Sequence, residues 1–459
     1  MINAVAECVV FVFGLLMFFV DFKYRVAMLL FVGICFSMVD LTFLPVMHNS
    51  GSWVTYTFLI SILPSIMNYI KELRHTVIYW CVIMMFVGSV ICVINSPHYN
   101  TSFLVALKFL ISDVGTYCLV LPLAFLCVKF DDDLVPMVKA AFGGMLILTG
   151  IGVINYIMKS SFWLEAMPEL DAEVSTRYMY DERFRVQAMF QNPFNYGFIN
   201  MVMAYFFYYV KKKGLLGAKG FWIMELCCLF GVITCMCRTV HVCYLIGIVV
   251  YMLAAYDFKR TIMYGLVALL LALLIVPQTP AFKEYSALFD KALNTDIRVA
   301  EGGSSLALRM LQFNTVLYYI QDSFWVGRGS GFFGVDLGWE NMVNNTGKAY
   351  DSDLAGLEGA YLSKLLERGV IGLAFYIIFY MSLFIAGWCM RKCDKQTFGL
   401  FASVIAVYFA FAQMTGELSS PYPTLLLLGV TLKLLYVKSG KLYQFTLLDD
   451  KTLVMSLKE

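Results

Sequence analysis

The chain has 459 residues, 60% of them hydrophobic and only 14% charged, with a formal net charge of +2 and a mean hydropathy of +0.75. Soluble domains carry about 45–50% apolar and about 25% charged residues, so the composition excludes a soluble enzyme, a secreted disulfide scaffold and a disordered protein. The apolar runs are unbroken, which also excludes a transmembrane barrel with its alternating strands and leaves an all-α polytopic integral membrane protein.

Thirteen apolar spans are expected in chain order, at 4–20, 26–46, 53–70, 76–94, 104–128, 137–157, 194–210, 221–237, 239–256, 261–279, 369–389, 397–415 and 422–437. This is a bundle of about 12–14 transmembrane helices, at about 20 residues each. The chain divides into residues 1–193 (six spans and a first large loop), 194–279 (four spans), a large loop at 280–360, the last spans within 361–437, and a tail at 438–459. Met1–Glu7 carries no Lys or Arg, which argues against a cleaved signal peptide. The thirteen Cys lie almost entirely in apolar runs, where thiols act as small hydrophobes. No internal repeat is visible, unlike a transporter built from inverted repeats.

Charge sorts the connections. Lys23 and Arg25, Lys71 and Arg74, Lys129, Lys211–Lys213 with Lys219, Lys259 and Arg260, Arg391 with Lys392 and Lys395, and Lys438 with Lys441 occupy one set of loops. The alternating short loops 47–52, 95–102 and 416–421 hold no Lys or Arg. Positive loops stay cytoplasmic, so the N-terminus is expected outside, the C-terminus inside, and the loops 158–193 and 280–360 outside. The longer one carries six Lys/Arg against ten Asp/Glu. Within it Leu306, Met310, Phe313, Leu317 and Ile320 are spaced 4, 3, 4, 3, which predicts an amphipathic helix lying along the interface.

Candidate functional residues collect on the expected outer side. Arg177, Arg183 and Arg185 precede the seventh span, Arg238 sits between the eighth and ninth, and Arg298, Arg309 and Arg328 lie in the long loop. Arg238 is flanked by apolar sequence and is read either as a snorkelling arginine at a tight turn or as an anion ligand. Guanidinium binds phosphate bidentately and keeps its proton, so converging arginines suit a pyrophosphate. Gly327-Arg-Gly-Ser-Gly331 is not a P-loop; it reads as a tight turn whose amides line an anion or simply close the chain. Asp131–Asp133 read as a helix cap, Asp351 and Asp353 as a weak metal motif, and Asp40 and Asp113 as acids inside spans. Glu358 stands where the long loop re-enters the membrane, as a base for an incoming hydroxyl or as a helix N-terminal charge. Of four histidines, His48, His75 and His98 are isolated, and His241 lies near Arg238.

Four stretches resemble the O-antigen polymerases and ligases of bacterial envelopes. They are Arg185-Val-Gln-Ala-Met-Phe-Gln-Asn-Pro-Phe-Asn195; Cys237-Arg238; Arg309 followed by Ile320 to Gly331; and Glu358-Gly-Ala-Tyr-Leu362 with Glu367-Arg-Gly369 and Gly372-Leu373. The likeness covers residues 185–373. It departs at Glu358, where the ligases have a histidine, and so favours a polymerase over a ligase.

The resemblance implies a glycosyltransferase of the bacterial inner membrane with its active site facing the periplasm, working without metal or other cofactor. Its partners would be an undecaprenyl-pyrophosphate-linked glycan donor and acceptor in the lipid bilayer and a chain-length regulator, with no nucleic acid involved. Arg238 and Arg309 would bind the pyrophosphate, Arg185 and Arg328 would assist, and Glu358 would stand by the acceptor hydroxyl. Asn192, Tyr361 and His241 would contribute to substrate binding. The competing expectation is a flippase or transporter of the same lipid-linked oligosaccharides.

Overall fold

A computed structural model of the chain describes residues 2–37, 39, 41, 49–161, 179–180, 183–190, 192–256, 305–338, 357, 359–411 and 421–440. The helices are α1 (Ile2–Leu16), α2 (Phe22–Cys35), α3 (Ser50–Arg74), α4 (Val77–Ile94), α5 (Phe103–Cys127), α6 (Asp131–Met158), α7 (Pro193–Lys212), α8 (Ala218–Thr234), α9 (Arg238–Ala255), α10 (Ser305–Tyr319), α11 (Ala360–Cys389), α12 (Lys395–Ile405) and α13 (Tyr422–Lys438). A two-residue hairpin, β1 (Met179–Tyr180) with β2 (Arg183–Phe184), pairs Met179 with Phe184. Among the described residues six helices, α3, α4, α5, α6, α9 and α11, are long and apolar enough to cross a membrane. The protein is an all-α polytopic membrane protein. Each expected span within the described residues coincides at least in part with a helix; the span 261–279 lies outside them.

Burial separates inner from outer helices. α7, α12, α13 and the second half of α5 are buried almost all round, as expected of helices that are apolar on every face. The outer helices bury one stripe. In α9 it is Val240, Cys243, Gly247, Tyr251 and Ala255; in α4 it includes Ile78, Cys81, Met85 and Cys92. Their other faces carry bare apolar groups, among them Trp80, Trp222, Leu226 and Leu245, as suits a lipid solvent. α2 packs on α6, α7 on α8, α9 on α12, α4 on α11, and α13 on the second half of α5.

The bundle has a basic end. There Lys438 donates to Asp131 at 2.8 Å and to Asp394 at 2.6 Å, Lys213 pairs with Asp394, and buried Lys433 pairs with Glu72. Asp394 caps α12 by accepting from the amides of Gln396 and Thr397, both at 3.1 Å. Burial opposes its ionisation, but the Lys213, Lys438 and Thr397 donors win and hold its carboxyl well below the usual carboxylate range. Asp131–Asp133 act as the expected cap, with Asp133 accepting from the amides of Lys129 and Phe130.

Three expectations need correction. α2 ends at Cys35 rather than running to 46, because the chain turns at Phe36, whose carbonyl accepts from the Ser50 hydroxyl at 2.6 Å. The expected stripe of α10 divides: Met310 and Phe313 are exposed, as an interface-facing stripe requires, while Leu317 and Ile320 pack with Val316 against Leu365 and Leu366 of α11. Finally, α11 begins at Ala360, not at 369.

Candidate functional site

At the end of the bundle opposite the basic one, α5, the glycine-rich turn, α11 and Pro421 just before α13 surround a cavity of about 410 Å³. Its lining includes Asp113 and Thr116 from α5, Ser330 and Gly331 from the glycine-rich turn, and Lys364, Glu367 and Arg368 from α11.

Local sequence shapes each wall. α5 widens into a π turn over Val114–Leu119, directly after Asp113. Pro122 follows and has no amide to give the Cys118 carbonyl; wide turns of this kind recur at functional sites. α11 is broken at Gly369, whose φ of 62° and ψ of −167° lie inside the helix. Only glycine takes that conformation without strain, and a Cβ there would come within 2.5 Å of the Gly327 nitrogen. The amides just beyond the break are satisfied, Val370 by the Phe324 carbonyl at 3.0 Å and Ile371 by that of Trp325 at 3.1 Å. The break thus leaves Lys364 and Arg368 on a short first segment turned into the bundle.

Arg368, 7% exposed, forms an ion pair with Asp113, 17% exposed. Asp113 accepts a second bond from the Ser89 hydroxyl at 2.6 Å. The Arg368 Nε is buried and has no hydrogen-bond partner among the described residues. Tyr117 lies under both cations, 5.1 Å from the Lys364 Nζ and 5.9 Å from the Arg368 guanidinium carbon. Glu367 accepts from the Gly331 amide at 3.1 Å and is only partly buried. The cavity thus presents two cations able to hold phosphate oxygens and two carboxylates able to accept from hydroxyls.

The glycine-rich turn does not offer its amides to an anion. Those of Arg328, Gly329, Ser330 and Gly331 go to Leu366, Glu367, Cys92 and the Glu367 side chain. Its glycines serve packing: Gly329 has φ of 90° and lies against the Ser96 backbone, where a Cβ would meet Cα at 2.3 Å.

Of the residues singled out from sequence, Asp113 and the turn residues Ser330 and Gly331 line this cavity, whereas Arg185, Asn192, Arg238, His241, Arg309, Arg328 and Tyr361 do not. Arg185, half-buried, is an electrostatic neighbour of Cys235 and Cys237, which adjoin Arg238 at the start of α9. The strand before it is fastened there by Val186, whose amide donates to the Thr234 carbonyl at 3.0 Å. So Arg185 and Arg238 do share one locality. His241 joins the same turn, its Nε2 2.8 Å from the Val232 carbonyl. Asn192 caps α7, accepting from the Asn195 amide at 2.8 Å. The Tyr361 hydroxyl donates to the Phe409 carbonyl. Arg328 donates from Nε to the Tyr319 carbonyl at 2.5 Å and reaches Asp322 at 3.4 Å. Arg309 lies half-buried on α10. Glu358, Asp351, Asp353, Asp40, Arg177 and Arg298 lie outside the described residues.

Lys364 and Arg368 were missed as site residues. The available signal was their i, i+4 spacing, which puts both on one helical face, together with an acid inside the fifth span. Among the described residues no three His, Cys, Asp or Glu side chains gather as a metal site. Compared with known proteins, the chain matches no family profile and no curated sequence.

Proposed function

We propose that the protein is a membrane glycosyltransferase that polymerises undecaprenyl-pyrophosphate-linked oligosaccharide repeats into O-antigen, capsular polysaccharide or exopolysaccharide on the outer face of the bacterial inner membrane. The observation that carries this reading is the cavity with buried Lys364 and Arg368 beside Asp113 and Glu367. A diphosphate joined to a sugar asks for that mixture: fixed cations for the phosphates and carboxylates for the hydroxyls. Charge asymmetry supports an outward-facing cavity, since α13 runs from Tyr422 beside it to Lys438 at the basic end.

In this reaction the non-reducing hydroxyl of an incoming repeat attacks the anomeric carbon of the lipid-linked chain. The new glycosidic bond forms as the bond to pyrophosphate breaks, and the hydroxyl proton passes to a carboxylate. Lys364 and the open Nε of Arg368 stabilise the charge growing on the leaving group, where fixed donors act most strongly. Asp113 positions Arg368. Glu367 and Glu358 are the two carboxylates proposed to take the proton. Arg185, Arg238, Arg309 and Arg328 are proposed to hold further phosphate or glycan groups outside the cavity.

A second reading, a transporter of the same lipid-linked repeats, is favoured by one observation: the helix break at Gly369, since transporters bind substrate at interrupted helices. One experiment separates the two. Lys364→Gln and Arg368→Gln, with Arg238→Ala and Arg309→Ala beside them, are expressed at matched membrane levels in cells lacking the gene. A polymerase defect leaves single repeats at the cell surface and removes the ladder of longer chains; loss of one fixed donor typically costs about 10²–10³ in rate. A transport defect leaves no repeat outside. Full-length ladders from both Gln variants would refute the assignment of this cavity.

A further inference from the structure

A second cavity, of about 360 Å³, opens between α7, α8 and α9. Six of its lining side chains are aromatic, including Tyr205, Tyr208, Trp222 and Tyr244. Its rim is bare to the surroundings at Trp222 and Leu226, 64% and 65% exposed, so it opens sideways toward lipid. α8 starts at the basic end, and seven residues on, about 10 Å along the helix, Glu225 turns into the cavity.

Glu225 makes no hydrogen bond or ion pair among the described residues. Three of the four tyrosine hydroxyls in the lining are engaged elsewhere: Tyr205 donates to the Cys243 and Tyr244 carbonyls at 3.0 and 2.9 Å, Tyr208 bonds Tyr256 at 2.9 Å, and Tyr251 donates to Gln396 at 3.0 Å. The lining therefore offers ring surfaces, the Tyr244 hydroxyl and one acid with no cation paired to it. An ionisable group inside a membrane is costly and marks a function. A small metal cation needs several oxygen ligands, which this lining lacks. A lipid chain accounts for the rings but not for the acid. A cation spread over an apolar body satisfies both, pairing with the carboxylate and lying against aromatic faces. The Lys212 Nζ already sits 5.3 Å from the Tyr208 ring centre.

We propose that this groove binds a lipophilic organic cation, which enters from the bilayer and pairs with Glu225. The site is independent of the polymerase reading. The test is equilibrium binding of labelled tetraphenylphosphonium to the full chain in lipid nanodiscs, with triphenylphosphine oxide as an uncharged competitor. Expected are saturable binding, a loss of about tenfold or more in affinity in Glu225→Gln, substantial retention in Glu225→Asp, a smaller loss in Trp222→Leu, and weak competition by the neutral compound. Thermal unfolding of Glu225→Gln checks that the fold is kept. Absence of saturable binding overturns the proposal. So does equal binding by Glu225→Gln, or equal competition by the neutral compound, either of which marks a cleft for uncharged chains.

Discussion

The ion pair between Asp113 and Arg368 can be taken apart with a double-mutant cycle. Both partners are largely buried, at 17% and 7% exposure, so removing one strands the other. Asp113→Leu leaves the guanidinium without its carboxylate, and breaking a buried pair in this way costs about 3–5 kcal/mol. Arg368→Met leaves Asp113 with the Ser89 hydroxyl and nearby Lys364, which places it at the lower end of that range. The double variant replaces both charges with apolar groups, a change that is often neutral or stabilising. We expect the double variant to be more stable than either single one, with a non-additivity of at least about 2 kcal/mol, within the range of contacting residues. The assay is denaturant unfolding in detergent micelles, followed by tryptophan fluorescence. Polymer synthesis is measured in parallel and is expected to stay absent in all three variants, because Asp113→Leu loses the group that positions Arg368 and the other two lose the cation itself. Additive destabilisation would refute the energetic coupling, and a polymer-forming double variant would refute the catalytic use of the pair.

Asp394→Asn keeps an N-cap but loses the Lys213 and Lys438 pairs, so unfolding measurements should show a loss of about 1–3 kcal/mol; Asp394→Ala should lose about 1 kcal/mol more. Because its folded pKa is depressed, Asp394 contributes stability above its unfolded value of about 3.9, and this is lost as pH falls through the folded value; acid titration of Asp394→Asn should lack this contribution. Gly369→Ala forces a side chain into a glycine-only conformation against Gly327 and should cost more than the about 1–3 kcal/mol of backbone strain alone, read as a lowered melting temperature. Glu358→Gln should cut polymer by about 10²–10⁴-fold if Glu358 takes the proton, and a full ladder would shift that role to Glu367.

The described spans were legible because each is a long apolar run, and the basic end, where Lys213 and Lys438 meet, because Lys and Arg sit on alternate connections. What failed were the places where tertiary contacts override hydropathy. The start of α11 was set too late because Lys364, Glu367 and Arg368 look like loop residues; pairing with Asp113 and seating on Tyr117 let the helix carry them. The stripe in α10 divides because Leu317 and Ile320 meet Leu365 and Leu366, a contact that no local pattern encodes. The glycine-rich turn was recognised as a turn, but its amides are consumed by α4 and α11, which lie far from it in sequence. Asp113 could be flagged as an acid within a span. Its partner 255 residues away could not be, since no local pattern encodes that pairing.

The most direct test is binding of an undecaprenyl-pyrophosphate-linked repeat to the purified chain in nanodiscs, compared with Lys364→Gln and with undecaprenyl monophosphate. If the cavity holds the diphosphate, the wild-type chain binds the pyrophosphate lipid saturably, Lys364→Gln weakens it by about tenfold or more, and the monophosphate binds less well. Equal affinity of Lys364→Gln and the wild-type chain for the pyrophosphate lipid would contradict the assignment.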